Sequence, residues 1–227
     1  MKKFLKILGI GILGLILIVV AIGFIAHESK PEGTKGPEAE ALADKMLKAL
    51  NVEAYEQINR LEWTFRGGHH YVWYKQENKV DVSWGDFEVT FYPETMDGEA
   101  AKGGVKLTGQ EKDDAIQKAW AFFANDSFWL VAPFKVKDPG TERSIVKTDQ
   151  GDALLVTYMS GGVTPGDSYL WILDENYRPR AWKMWVNIIP IGGLEFEWKD
   201  WQPYNGAYFS TMHTGFLEVP IIDLSVE

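Results

Sequence analysis

The sequence predicts a mainly β (α+β) domain. It is a strongly curved antiparallel sheet or open half-barrel whose concave face is covered by helices, preceded by an N-terminal transmembrane helix. Three observations carry this. Short segments of strict apolar/polar alternation recur through most of the chain, two segments with helical spacing interrupt them, and Ile7 to Ala26 is an unbroken apolar run.

The N-terminal run comes first. At ~1.5 Å per residue, a helix over residues 7–26 would span about 30 Å, the thickness of a bilayer's hydrocarbon core. Lys2, Lys3 and Lys6 precede it, so residues 1–6 are expected in the cytoplasm and the rest across the membrane: a single-pass inner-membrane protein whose C-terminal domain is periplasmic or otherwise extracytoplasmic. The alternative is a cleaved signal peptide, since Ala21-Ile22-Gly23 has the small-x-small form a signal peptidase accepts, although a signal core is usually shorter, ~7–15 residues. Gly9-x-Gly11-x-x-Gly14 matches the dinucleotide fingerprint in letters only, because it lies inside this apolar run with no strand before it.

Residues 27–37 open a stretch dense in Pro, Gly and charge, which reads as a flexible tether. Residues 38–227 fit one domain with a sizeable core. The chain has 23 basic and 32 acidic residues, and the 23 less the three leading lysines leave 20 against 32, a balance of −12. So acidic a domain is a poor partner for nucleic acid, whose affinity rests on phosphate neutralisation, and for anionic headgroups. With no Cys there is no disulfide, no thiol nucleophile and no diacylated lipoprotein anchor.

Pro37 to Asn51 reads as a helix, with Pro37 in its first turn and Leu42, Met46, Ala49 and Leu50 on one face. The period then drops to two. Leu61, Trp63 and Phe65 alternate with polar residues, and after the turn at Gly67-Gly68 come YVWYK, KVDVSW and FEVTFYP at hairpin spacing. Thr108-Gly109-Gln110-Glu111 has the form of a capping box, and Ile116, Ala119, Trp120 and Phe123 follow at helical spacing. Asn125-Asp126-Ser127 reads as the end of that helix and the cap of a short second one carrying Phe128, Trp129 and Leu130 up to Pro133; as a glycosylation pattern it is less apt than as a cap. Strands resume after Asp138-Pro139-Gly140 with RSIVK, ALLVTYM, SYLWIL, RAWKMWV, LEFEWKDW, AYFSTMHTG and IIDLSV. The sum is four strands, a helical insert, then six or seven more strands.

No catalytic constellation emerges. There is no Gly-x-Ser-x-Gly elbow. His69-His70 invites a metal reading, but neighbours on a strand face opposite ways, and a site would need partners such as His213 or a carboxylate that no spacing promises. Asp113-Asp114 reads as a solvated face, and Glu195 and Glu197 as the outward partners of inward Phe196 and Trp198. Neither cofactor nor metal is expected. The abundant signal is aromatic, with ten Trp. Aromatics usually make core, but a curved sheet too wide to fill its own interior leaves some to line a cavity. The candidates for that cavity and its helical lid are Trp63, Trp73, Trp84, Trp120, Phe123, Phe128, Trp129, Trp171 and Trp185, with SFWLVAPF as the lid.

Three segments, AFFANDSFWLVAPFKVKDPG (121–140), SYLWILDENYRPRAWKMWV (168–186) and EFEWKDWQPYNGAYFSTMH (195–213), resemble the LolA/LolB lipoprotein-carrier superfamily, in particular its anchored, Bacteroidetes-type relatives. Asp174 to Pro179 matches that family's strand–turn–strand hairpin, and Asp200-Trp201 with Gly206 its final pair of strands. The resemblance spans about residues 38–225 and implies a half-barrel whose concave face receives acyl chains, without catalytic residues. The expectation is an anchored, non-catalytic binding protein for an acyl chain or other hydrophobic small molecule or lipid. Two other classes stand against it: a hydrolase on the same sheet, and an envelope sensor that passes a signal to a partner.

Overall fold

The computed structural model describes residues 27–160 and 164–227. The expected transmembrane segment, residues 7–26, lies outside them; among the described residues no helix is long and apolar enough to cross a membrane.

Helix α1 spans Pro37–Ala49 and α2 spans Val52–Gln57. Six strands follow: β1 Arg60–Phe65, β2 His69–Tyr74, β3 Lys79–Trp84, β4 Phe87–Phe91, β5 Gly98–Lys102 and β6 Val105–Lys106. Helix α3 runs unbroken from Gly109 to Val131 and passes into a 3-10 turn, Ala132–Lys135. Seven strands complete the chain: β7 Thr141–Thr148, β8 Gly151–Tyr158, β9 Ser168–Leu173, β10 Pro179–Trp185, β11 Leu194–Tyr204, β12 Ala207–Thr214 and β13 Glu218–Val226.

All thirteen strands form one sheet in the order β6-β5-β4-β3-β2-β1-β13-β12-β11-β10-β9-β8-β7, every neighbour antiparallel. The two hairpin runs are thus joined where the last strand pairs with the first, and the sheet stays open between β6 and β7. Bulges help it bend. Between β1 and β13 the register slips by one residue beyond Glu62, beside Asp223 with its left-handed φ of 57°.

One face of every long strand is apolar and buried. Leu61, Trp63 and Phe65 of β1, Val80, Val82 and Trp84 of β3, and Phe196 and Trp198 of β11 point to a single core with the three helices, while Glu195 and Glu197 point out. The alternation therefore read these strands correctly. It did not show β5 and β6, because Gly98–Lys102 has one inward apolar residue, Ala100, and so no stripe to see.

Two local readings are corrected. Thr108 does cap α3, but its side chain makes no capping hydrogen bond. Asn125-Asp126-Ser127 does not break the helix, since Asp126 is buried and finds its partners on β2 rather than in its own backbone. The residues read as a flexible tether are also bound. The Glu28 N–H donates to the Gly192 carbonyl at 2.9 Å, the Trp185 indole N–H to the Glu28 carbonyl at 2.7 Å, and Lys183 to the Glu28 carboxylate at 2.8 Å. Further on, Thr34 and Ile145 exchange both backbone hydrogen bonds, which covers the free edge of β7. The composition of this strap is that of a linker, but its backbone groups meet unpaired strand and loop groups, which composition does not reveal.

Candidate functional site: an apolar cavity beneath helix α3

Helix α3 lies across the buried face of the sheet. Its first half is packed down: Ala115, Ile116, Ala119 and Phe123 are buried, and Phe123 meets Trp63, Tyr71, Trp73 and Phe91 with ring centres 5.4–6.2 Å apart. Asp126 then anchors the middle. Its Oδ2 accepts from the Tyr71 hydroxyl at 2.6 Å and pairs with His69 Nδ1 at 2.7 Å, while Oδ1 accepts from the Asn125 side-chain amide at 2.8 Å. Burial, reinforced by the neighbouring Asp126 carboxylate, pushes the Tyr71 hydroxyl well above its ordinary pKa, so it stays a proton donor. His69 is further held by stacking on Phe122 at 4.0 Å. Its neighbour His70 faces the other way, toward Thr64 and Glu62, as strand geometry requires. Among the described residues no cluster of His, Asp or Glu is placed to hold a metal ion.

Beside the second half of α3 lies a cavity of about 640 Å³. Trp120, Phe128 and Trp129 of α3 form one wall, with Phe123 and Trp73 at one end; Tyr158, Tyr169, Trp182 and Met184 form the floor, and Val186, Ile188 and Ile189 the far side. The walls are mainly apolar, and the charged groups beside them are already engaged. Lys135 pairs with Asp138 at 2.6 Å, and Asp167 accepts from the Asn187 backbone N–H at 2.8 Å and from Thr164. Burial raises the pKa of both Tyr158 and Tyr169, keeping the floor neutral.

Trp182 of the floor also belongs to a tryptophan cluster. Trp171, Trp182 and Trp198 sit 4.9–5.1 Å apart, and His213 lies 4.2 Å from Trp198 and 5.5 Å from Trp129. His213 is fully buried, and neither ring nitrogen has a hydrogen-bond partner among the described residues. Burial pushes its pKa down to about 3, against a weaker opposing pull from the Trp129 backbone, so it is neutral in the native protein at pH 7.

Of the nine residues singled out from the sequence, Trp73, Trp120, Phe123, Phe128 and Trp129 line the cavity. Trp63 and Trp171 are core, each with no exposed surface. Trp84 stacks on Phe87 at 4.9 Å and meets Phe122 away from the cavity. Trp185 lies on the opposite face, against Val146, Ala153, Leu155 and Leu170, where its indole holds the strap. The residue on β10 that does reach the cavity is Trp182. Parity could have found it: Trp185 alternates in phase with Lys183, an outward residue, whereas Trp182 shares its face with Met184. The lid expectation is also refined. Trp129 is wall and core together, packed on Trp182 at 5.0 Å and Phe196 at 4.9 Å, and the APF that follows is plain core.

No family model matches the chain, and no curated protein does. Among solved structures the chain is similar to a DUF1329 family protein from Desulfovibrio piger, at 9% identity and a TM-score of 0.40, over 83% of this chain and 93% of that one. At that TM-score the likeness carries no function to this chain.

Proposed function

We propose that the protein is an anchored, extracytoplasmic binding protein that holds an acyl chain or a similar apolar molecule in the cavity beneath α3, without chemistry on it. The observation that carries this reading is the cavity itself. At about 640 Å³ it is within the ~300–1,000 Å³ of small-molecule sites, and its aromatic walls with few free polar groups suit a hydrocarbon. The resemblance of residues 121–140, 168–186 and 195–213 to lipoprotein carriers points the same way. The test is native mass spectrometry of the purified protein for co-purified lipid, together with titration of a fluorescent fatty acid. Saturable binding at one site per chain is expected, and no binding by the wild type would end the reading.

A hydrolase is favoured by one observation, His69 held at 2.7 Å from Asp126. Against it, no Ser or Thr hydroxyl is among the hydrogen-bond partners of His69 among the described residues, and the carboxylate is shared with Tyr71. Ester substrates of varied chain length distinguish the two: turnover that disappears in His69→Gln would establish the hydrolase.

A further inference from the structure

We propose that the end of the sheet whose connections line the cavity rests on the surface of a lipid bilayer, so that an apolar ligand passes between bilayer and cavity without crossing water. This rests on the binding function proposed above, and four observations carry it.

The first is where the exposed apolar residues stand. Met159, Ile188 and Phe216 are 54%, 67% and 68% exposed. Met159 follows β8, Ile188 joins β10 to β11, and Phe216 joins β12 to β13. Antiparallel pairing puts these three connections at one end of the sheet: Ser168 pairs with Trp185, Met184 with Leu194, and Thr214 with Glu218. Val105, 68% exposed, tips the β5–β6 hairpin at that same end. Among the described residues, the exposed large apolar groups at the opposite end are Tyr92 and Tyr177, which are less exposed, at 42% and 39%, and carry hydroxyls; Ile222, 52% exposed, stands within β13 at neither end. Large side chains left in water on neighbouring turns form a surface that gains by being covered.

The second is the cavity's lining, which includes Ser160, Thr164, Ile188 and Ile189 from two of those same connections. The third is how His27 and Glu28 are held. His27 Nδ1 accepts the Gly192 N–H at 3.0 Å and the Glu28 N–H donates to the Gly192 carbonyl, so the residue after the apolar run 7–26 is fixed to the Ile188 connection. On the anchored reading proposed above, a span over residues 7–26 puts the bilayer where that run ends. The fourth is charge. Residues 27–227 carry 20 basic against 32 acidic side chains, which opposes an anionic surface; the occupant is therefore a zwitterionic bilayer met through apolar tips.

The chain has no Cys, so single labels are readily placed. Met159→Cys and Phe216→Cys, with Asn176→Cys at the far end as reference, are labelled with an environment-sensitive fluorophore in the full chain. Each is reconstituted in phosphatidylcholine nanodiscs containing a nitroxide lipid. Strong quenching at 159 and 216, with none at 176, is expected. Equal signals at all three positions overturn the proposal, as does shielding from a water-soluble quencher without lipid quenching, which would mean a protein partner or second copy covers the tips. In the Met159→Glu, Phe216→Glu double variant, transfer of a fluorescent fatty acid from vesicles should slow roughly tenfold, with equilibrium affinity unchanged. An unchanged transfer rate also counts against docking. The two readings fail separately. Fatty-acid binding without quenching removes the docking and leaves the binding, whereas quenching without any fatty-acid binding removes the binding and leaves the docking.

Discussion

The strands before α3 and those after it present the same kind of face to the same helix, yet one half is filled and the other holds a cavity. Over β1–β5 the strands are five or six residues long, and Phe123 and the small residues of α3 sit directly on them. The one buried carboxylate there has its hydrogen bonds made. Over β8–β12 the strands reach eleven residues, the helix rides on large aromatic rings, and space remains beside them. Among the described residues, the buried polar atoms of Trp171, Trp182, Trp198, Tyr158 and His213 in that half have no partner, against the Trp63 indole N–H in the first. Apolar alternation therefore decides which face is covered, not how completely. Ring size and the helix's line across the strands decide the rest.

The largest effect should come from the anchor in the filled half. Asp126→Ala strands the Tyr71 hydroxyl and His69 beneath the helix, and loss of about 3–5 kcal/mol of stability is expected, as when one partner of a buried polar pair is removed. A denaturant midpoint close to wild type would mean α3 is held by its aromatic contacts alone. Tyr71→Phe, which removes one of the three bonds and keeps the ring, should cost about 1–2 kcal/mol.

His213 sharpens the comparison through pH. Its folded pKa, about 3, is below its ordinary value of 6.5, so the unfolded chain binds more protons over that interval. Its contribution is fully present above about pH 6.5 and is lost as pH falls toward 3. His213→Leu should flatten that part of the stability profile. At neutral pH it should be neutral or stabilising by about 1 kcal/mol, because it removes two polar atoms that have no partner. Equal acid sensitivity in both proteins would show that the carboxylates dominate and that the imidazole is solvated.

Trp120→Ala probes the cavity wall with least damage. Trp120 lines the cavity and has no ring partner among the aromatic contacts described, unlike Trp129 with its three. The expected cost is about 1 kcal/mol of stability with a roughly tenfold loss of fatty-acid affinity, whereas Trp129→Ala should lose about 3–5 kcal/mol. Equal stability losses would make the two walls one core.

These tests also mark what the sequence could tell. Strands were legible wherever one face is buried, because a period of two survives any tertiary context. The candidate lining was half legible for the same reason: Trp73, Trp120, Phe123, Phe128 and Trp129 share the buried side, while Trp185 fell out of phase. Asp126 was not legible. A polar residue in the middle of a helix reads as a breaker unless its partners are known, and those lie on β2, 55 and 57 positions away. The strap was illegible for a related reason, since its backbone pairs with Ile145 and Gly192, far along the chain.

The smallest effect should be confined to that strap, which lies only on the second half. Trp185→Phe keeps the ring against Leu155 and Leu170 but deletes the donor to the Glu28 carbonyl, at a cost of about 0.5–1.5 kcal/mol. The exposed pair of Lys183 and Glu28 offsets little of that, because surface ion pairs contribute ~0–1 kcal/mol. Hydrogen exchange should therefore speed up at Glu28, whose amide is held by Gly192, and less at Thr34, whose two bonds to Ile145 remain. Amides of β1–β5 should not change, because Trp185 packs on Val146, Ala153, Leu155 and Leu170, all in the second half. Faster exchange spread evenly over both halves would mean that the strap stabilises the whole sheet, and that the two halves unfold as one unit rather than as a filled half and a hollow one.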